Sequence, residues 1–216
     1  MTPLQHDILT AYIMNNLRIL KAVNPGDTYY EEYLKHLARE GEKFFDQYHF
    51  AVMWALEHSP KRILEIGTRS GLSICQLLSA HPEIDKIEEV SLCDLWNDGF
   101  ISEEVVKLYL SSLNISCDKM VYLKGDSKDL MPLMIQDGKK YNYILVDGDH
   151  QKPSATRDLE NAVELISKEG VIVFDDISKW GCDLKDVWEE FKARYSKEFV
   201  FEENYNGKGV GWAIKL

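Results

Sequence analysis

Arg62-Ile63-Leu64-Glu65-Ile66-Gly67-Thr68-Arg69-Ser70-Gly71 is the stretch on which the reading of this chain turns. A short apolar run breaks at two glycines four positions apart and leads into Leu72 to Ala80, whose apolar spacing predicts a helix. A strand delivered into a helix through a glycine turn is the opening of a βα unit. Gly67 lets the backbone turn sharply, and the missing side chain at Gly71 lets a ligand or a strand come close to the helix start. Dinucleotide loops read G-x-G-x-x-G, whereas here the spacing is G-x-x-x-G preceded by an acid. A carboxylate such as Glu65 is poorly matched to a pyrophosphate and suits a cationic part of a ligand.

Downstream, short β-rich runs alternate with helical stretches, the pattern of successive βα units and a mostly parallel sheet. The runs are Arg62 to Ile66, Val90 to Leu95, Met120 to Lys124, Tyr141 to Asp147, Gly170 to Asp175, Glu198 to Glu203 and Val210 to Leu216. Helices are expected at Glu103 to Leu113, Lys128 to Gln136, Thr156 to Lys168 and Asp183 to Tyr195. Only Asn204 to Lys208 joins the last two strands, and its Asn206-Gly207 pair favours a tight hairpin turn, so those strands should be antiparallel. The expected fold class is therefore α/β, a Rossmann-like seven-stranded sheet with an antiparallel C-terminal hairpin and helices on both faces.

Upstream, residues 1–60 read as a helical extension to a domain at 61–216. Ile8, Tyr12, Ile13, Leu17 and Leu20 recur at helical spacing, as do Phe44, Phe45, Tyr48, Ala51, Val52 and Leu56, with a tyrosine-rich segment at Tyr29, Tyr30 and Tyr33 between them. Surplus apolar residues there would be consumed by a lid over a pocket or by a homodimer contact, and both are expected.

Composition narrows the classes of partner. With 25 Lys and Arg against 36 Asp and Glu, the formal charge of -11 argues against a surface that tracks nucleic-acid phosphates. No run approaches the roughly 18 apolar residues of a membrane span. Cys75, Cys93, Cys117 and Cys182 form no C-x-x-C pair and read as residues of a reduced compartment. Met1 to Thr10 carries no basic region leading into an apolar stretch. The expectation is a soluble cytoplasmic protein.

In a parallel sheet the ligand crevice lies beyond the carboxyl ends of the strands. Each of the first five strands ends in an acid: Glu65, Asp94, Asp126, Asp147, and Asp175 with Asp176. One such acid would be read as a helix cap; a row of five reads as a site. Asp94 lies 27 residues past Gly67, near the spacing of an acid that binds ribose hydroxyls. Gly125-Asp126-Ser127 falls where an adenine amino group would be met.

The glycine loop Ile63 to Gly71, Asp94, Gly125-Asp126-Ser127, Asp147-Gly148-Asp149-His150 and Val171-Ile172-Val173-Phe174-Asp175-Asp176 together resemble class I methyltransferases. The paired acidic motifs are similar to those of the metal-dependent O-methyltransferases that decorate sugars and antibiotics, the macrocin type included. The likeness runs from Lys61 to Leu216. It implies S-adenosylmethionine (SAM) as cofactor, held by Glu65, Gly67, Thr68, Arg69, Ser70, Gly71, Ser73, Asp94, Leu95, Trp96, Gly125, Asp126, Ser127 and Asp147. It further implies Mg²⁺ on Asp147, Asp175 and Asp176, an oxygen donor set that suits a hard cation. The implied reaction is displacement at the sulfonium methyl by a hydroxyl of a small molecule, with Asp149 as base and His150 as the second choice.

One departure bears on the acceptor. Catechol-type relatives place a Lys three residues after the first metal Asp, where this chain has His150, with Lys152 two residues further on. A saccharide or natural product is therefore favoured over a flat catechol. Trp180 and Tyr29, Tyr30 and Tyr33 are candidates for the acceptor wall, and Trp96 for the adenine edge. Competing readings are a metal-independent methyltransferase, a nicotinamide oxidoreductase on a similar sheet, and a nucleoside-binding module without catalysis.

Overall fold

The computed structural model describes residues 1–97 and 101–216. Three helices come first: α1 (Pro3–Val23), α2 (Tyr29–Glu40) and α3 (Gln47–His58). Five strands follow in βα alternation: β1 (Arg62–Ile66), α4 (Leu72–Ser79), β2 (Glu89–Asp94), α5 (Glu103–Ser112), β3 (Met120–Lys124), α6 (Ser127–Gln136), β4 (Tyr141–Val146), α7 (Lys152–Leu165) and β5 (Ile166–Asp175). The chain closes with α8 (Lys185–Tyr195), β6 (Phe199–Asn204) and β7 (Val210–Lys215).

All seven strands form one sheet in the order β3-β2-β1-β4-β5-β7-β6. β1 to β5 pair in parallel, and β7 runs antiparallel to both β5 and β6. The strand order reverses between β1 and β4, which opens a crevice at their carboxyl ends.

Side chains alternate across the sheet, and helices cover both faces. Ile63, Leu92, Leu145 and Val173 pack into one core with α1, α3, α4 and α5. Leu64, Ile66, Ile144, Val146, Ile172 and Phe174 pack into the other with α6, α7 and α8. Burial from both sides is why the inner strands read as nearly continuous apolar runs. Each fully buried aliphatic side chain contributes about 1.5–3 kcal/mol. The first core crosses residue 60, since Phe50, Val52 and Trp54 of α3 share it with Ile63 and Val171.

The tyrosine segment lies in α2, entered through Asp27 Oδ1, which accepts from the Tyr29 N–H at 2.9 Å. Two local differences from the sequence-based expectation have physical causes. The helix expected at Thr156 to Lys168 instead starts at Lys152 and stops at Leu165, and β5 begins directly at Ile166, ahead of Gly170. Ile166 already pairs with Tyr141, and the register then shifts so that Val171 meets Tyr143. Glu169 at φ +62° absorbs that irregularity. Finally, the turn between β6 and β7 is the five-residue loop Tyr205 to Gly209, wider than a two-residue hairpin, with Gly207 at φ +61° and Gly209 at φ +81°. No helix among the described residues is long and apolar enough to cross a membrane.

Candidate functional site

At the switch point the chain needs a glycine. A Cβ on Gly67, at φ +87°, would stand 1.9 Å from the Asp147 carbonyl oxygen. The bare backbone lets β1 and β4 lie this close at the crevice floor. Arg69, at φ +50°, turns its N–H onto Asp94 Oδ2 at 2.8 Å, and Asp94 Oδ1 takes the Trp96 N–H at 2.9 Å. Asp94 thereby ties the glycine loop to the end of β2. The Trp96 indole donates to the Arg69 carbonyl at 2.9 Å and is buried against Tyr122, so it braces the loop from behind. Ser70 donates to Asp27 Oδ2 at 3.2 Å, and Thr68 hydroxyl to the Glu65 carbonyl at 3.4 Å. Gly71 starts α4 and faces the Val106 side chain.

Beyond these strand ends lies a cavity of about 510 Å³. Gly67, Arg69, Asp94 and Leu95 line one end, Gly125, Asp126 and Ser127 the next, and Asp147, Asp149 and His150 the far side. Tyr29 reaches over it, its ring 4.8 Å from the Arg69 guanidinium. Of the residues expected to hold the cofactor, Glu65, Thr68, Ser70, Gly71, Ser73 and Trp96 do not line this cavity. Glu65 is 2% exposed, one carboxyl oxygen lacks a partner, and burial, with Asp147 adding and Ser73 opposing, raises its pKa well above the ordinary value. Asp126 caps α6 through the Lys128 N–H at 2.9 Å while still facing the cavity.

At the far side, oxygens of Asp147, Asp175 and Asp176 lie within 4.8 Å of one another. Their donor chemistry matches a hard cation, but the space is taken. Lys208 Nζ lies 3.4 Å from Asp175 Oδ2 and 3.1 Å from Asp176 Oδ1. His150 Nε2 lies 3.1 Å from Asp176 Oδ2 and 3.4 Å from Asp147 Oδ1. Gln47 donates to Asp147 Oδ2 at 3.1 Å, and the Cys182 thiol to Asp176 Oδ2 at 3.3 Å. In this arrangement a divalent ion would have to displace the ammonium to reach these oxygens. Burial acts to lower the Lys208 pKa, but Asp175, Asp147 and Asp176 outweigh it and hold the group charged. The hydrogen bond to Asp147, opposed by burial, raises His150 above its ordinary value.

A cleft of only about 30 Å³, which also touches Lys208, is lined by Tyr29, Tyr33, Gln47, Tyr48 and Asp175. Tyr29 and Lys208 border both spaces. Tyr30 lies instead beside Leu17 and Leu20, and Trp180 is 56% exposed under Arg39.

Three residues of the site escaped the sequence reading. Gln47 sits in the helical stretch taken for an extension, and Asp158 lies mid-helix in α7, where Ser127 donates to it at 2.7 Å. Lys208 was hidden inside a hairpin turn. Its only sequence signal is the pair of flanking glycines, Gly207 and Gly209.

Several solved structures share the fold. The O-methyltransferase from Bacillus cereus, in complex with SAH, superimposes with a TM-score of 0.63 at 16% identity, covering 95% of this chain and 91% of that one. TomG, the Streptomyces achromogenes O-methyltransferase involved in tomaymycin synthesis, in complex with SAM, gives 0.60 at 18% identity, with coverages of 89% and 96%. The SAH-bound methyltransferase PaMTH1 of Podospora anserina gives 0.61 at 15% identity, with 88% of each chain covered. No curated protein sequence matches the chain. A methyltransferase domain family matches residues 64–177, from the middle of β1 to just past the paired acids. That span is more than half of the 216 residues and holds the glycine loop, Asp94 and the acid row. The chain belongs to this methyltransferase domain family.

Proposed function

We propose that this protein is a SAM-dependent O-methyltransferase acting on a hydroxyl of a small molecule, a sugar or natural product. The observation that carries the reading is the cavity of about 510 Å³ at the strand-order reversal, with Asp94 and Asp126 at one end and His150 and Lys208 at the other. Bound in the larger cavity, SAM would supply an electrophilic methyl carbon on a positively charged sulfur.

Asp94 has each oxygen occupied by one N–H and a lone pair left on each, which suits ribose hydroxyls. Asp126 and Ser127 present acceptors where an adenine amino group would come, and Leu95 offers apolar contact beside them. The carboxylate of Asp147 on the cavity wall favours the cationic end of the ligand, while burial keeps Glu65 protonated. Tyr29 and Arg69 pack on each other at the cavity wall.

His150 is the better-supported base. Asp176 and Asp147 face its Nε2, which leaves Nδ1 to accept the hydroxyl proton, and the same carboxylates stabilise the imidazolium that forms. Asp149 is exposed on the cavity wall, its Oδ1 taking the Gln151 N–H at 3.2 Å, and is the second choice. Alignment of oxygen, methyl and sulfur supplies most of the acceleration in such a site.

Residues 1–60 then serve as the acceptor-side wall. Leu4 and Ile8 on α1, exposed at 69% and 59%, are the residues there that suit a homodimer contact. Titration calorimetry with SAM and SAH tests the central reading. Saturable binding of either is expected, and a protein that binds neither is not a SAM-dependent enzyme. A tritium-transfer screen of hydroxylated saccharides and natural products would then identify the acceptor.

A further inference from the structure

The acid cluster holds six carboxylate oxygens, and five of them lie within 3.4 Å of a nitrogen or sulfur donor atom. Asp147 gives Oδ1 to His150 and Oδ2 to Gln47; Asp176 gives Oδ1 to Lys208 and Oδ2 to His150 and Cys182; Asp175 gives Oδ2 to Lys208. Asp175 Oδ1 and Asp176 Oδ1 are buried without a hydrogen-bond partner, the latter standing in ion-pair contact with Lys208 Nζ at 3.1 Å. A metal centre offers its carboxylate oxygens to the ion; this one offers them to an ammonium.

Lys208 is also held where it is. Gly207 and Gly209 on either side take left-handed backbone angles, and a Cβ on Gly207 would stand 2.9 Å from the Phe44 ring. Ser178 clasps the loop, its hydroxyl donating to the Gly207 carbonyl at 2.7 Å and its N–H to the Lys208 carbonyl at 2.9 Å. The Gly207 N–H donates to the Glu40 carboxylate of α2. Across the cluster, a Cβ on Gly181 would stand 2.5 Å from Asp176 Oδ1 and 2.7 Å from the Lys208 carbonyl, so the turn after β5 closes on the same pair.

We infer that Lys208 is the resident cation of this site, doing for Asp175 and Asp176 what a divalent metal does in metal-dependent relatives and giving its remaining N–H to the acceptor oxygen. An ammonium has three donors; two face Asp175 and Asp176, and the third is available where the two spaces meet. During transfer the oxygen–methyl bond forms as the methyl–sulfur bond breaks, the electron pair stays on sulfur, and the hydroxyl proton passes to His150. Lys208 keeps its proton and steadies the oxygen as charge develops. The acceptor half rests on the methyl-transfer reading; the replacement of the metal does not, and the two fail separately.

The test is Mn²⁺ titration, followed by electron paramagnetic resonance, into wild type, Lys208→Met and the double variant Lys208→Met/Asp175→Asn, each checked for folding by circular dichroism. Wild type should show no saturable Mn²⁺ binding. Lys208→Met should gain one site, at least about tenfold tighter than anything in wild type, and the double variant should lose it. In the acceptor screen, EDTA should leave wild-type transfer unchanged. A single Mn²⁺ site in wild type that Asp175→Asn removes, with transfer stopped by EDTA, overturns the inference and needs no Lys208 variant to fold. So does a folded Lys208→Met protein that gains no site. Failure to bind SAM would sink the proposed function while leaving the Mn²⁺ result decisive for Lys208.

Discussion

Asp158→Asn removes a carboxyl that the fold buries beside the cavity. Asp158 is 2% exposed, and its pKa is pushed up from 3.8 to about 6, first by burial, with Asp126 and Asp149 adding to the rise while Ser127 and Arg157 oppose it. The folded chain therefore holds this proton to higher pH than the unfolded chain does. Stability from the group is fully present below pH 3.8 and is lost as pH rises through about 6. At about 1.4 kcal/mol per unit, the whole loss is roughly 3 kcal/mol. About half has gone by pH 5, leaving ~1.4 kcal/mol to go between pH 5 and pH 8. Asparagine keeps an oxygen for the Ser127 hydroxyl and does not titrate. Urea unfolding of the two proteins should show the stability of Asp158→Asn relative to wild type growing by about 1.4 kcal/mol over that interval. A difference that stays flat, or shrinks as pH rises, refutes the assignment of Asp158 as a buried group that ionises at a cost.

Two further outcomes test the site. Gly67→Ala places a methyl group 1.9 Å from the Asp147 carbonyl at φ +87°; left-handed backbone costs about 1–2 kcal/mol and overpacking about 1–3. Calorimetric melting should fall by roughly 4 °C or more with SAH binding lost, and a variant with wild-type melting and affinity would show that β1 and β4 do not approach so closely. His150→Gln should lower methyl transfer by about 10²–10⁴-fold while SAH affinity holds; a larger loss in Asp149→Asn would move the base to Asp149.

What the sequence determined is what local periodicity and chain order encode. Apolar runs broken by Gly67, Gly125 and the acids mark five βα units, because strands buried on both faces must be apolar and ligand crevices open at their carboxyl ends. That pattern alone places Asp94, Asp126, Asp147, Asp175 and Asp176 along one edge of the sheet. The end of α7 was less legible: Ile166 to Gly170 carries no break that separates a helix tail from a strand start, and only pairing with Tyr141 draws it into β5. Tertiary structure alone decided what meets the acids. Gln47 stands 100 residues before Asp147, and Lys208 is 33 beyond Asp175, separations over which no periodic pattern extends. A carboxylate row reads in sequence as a place for a cation; which cation fills it depends on whether a hairpin folded against α2 can carry a lysine there, and that is a property of packing across the whole chain.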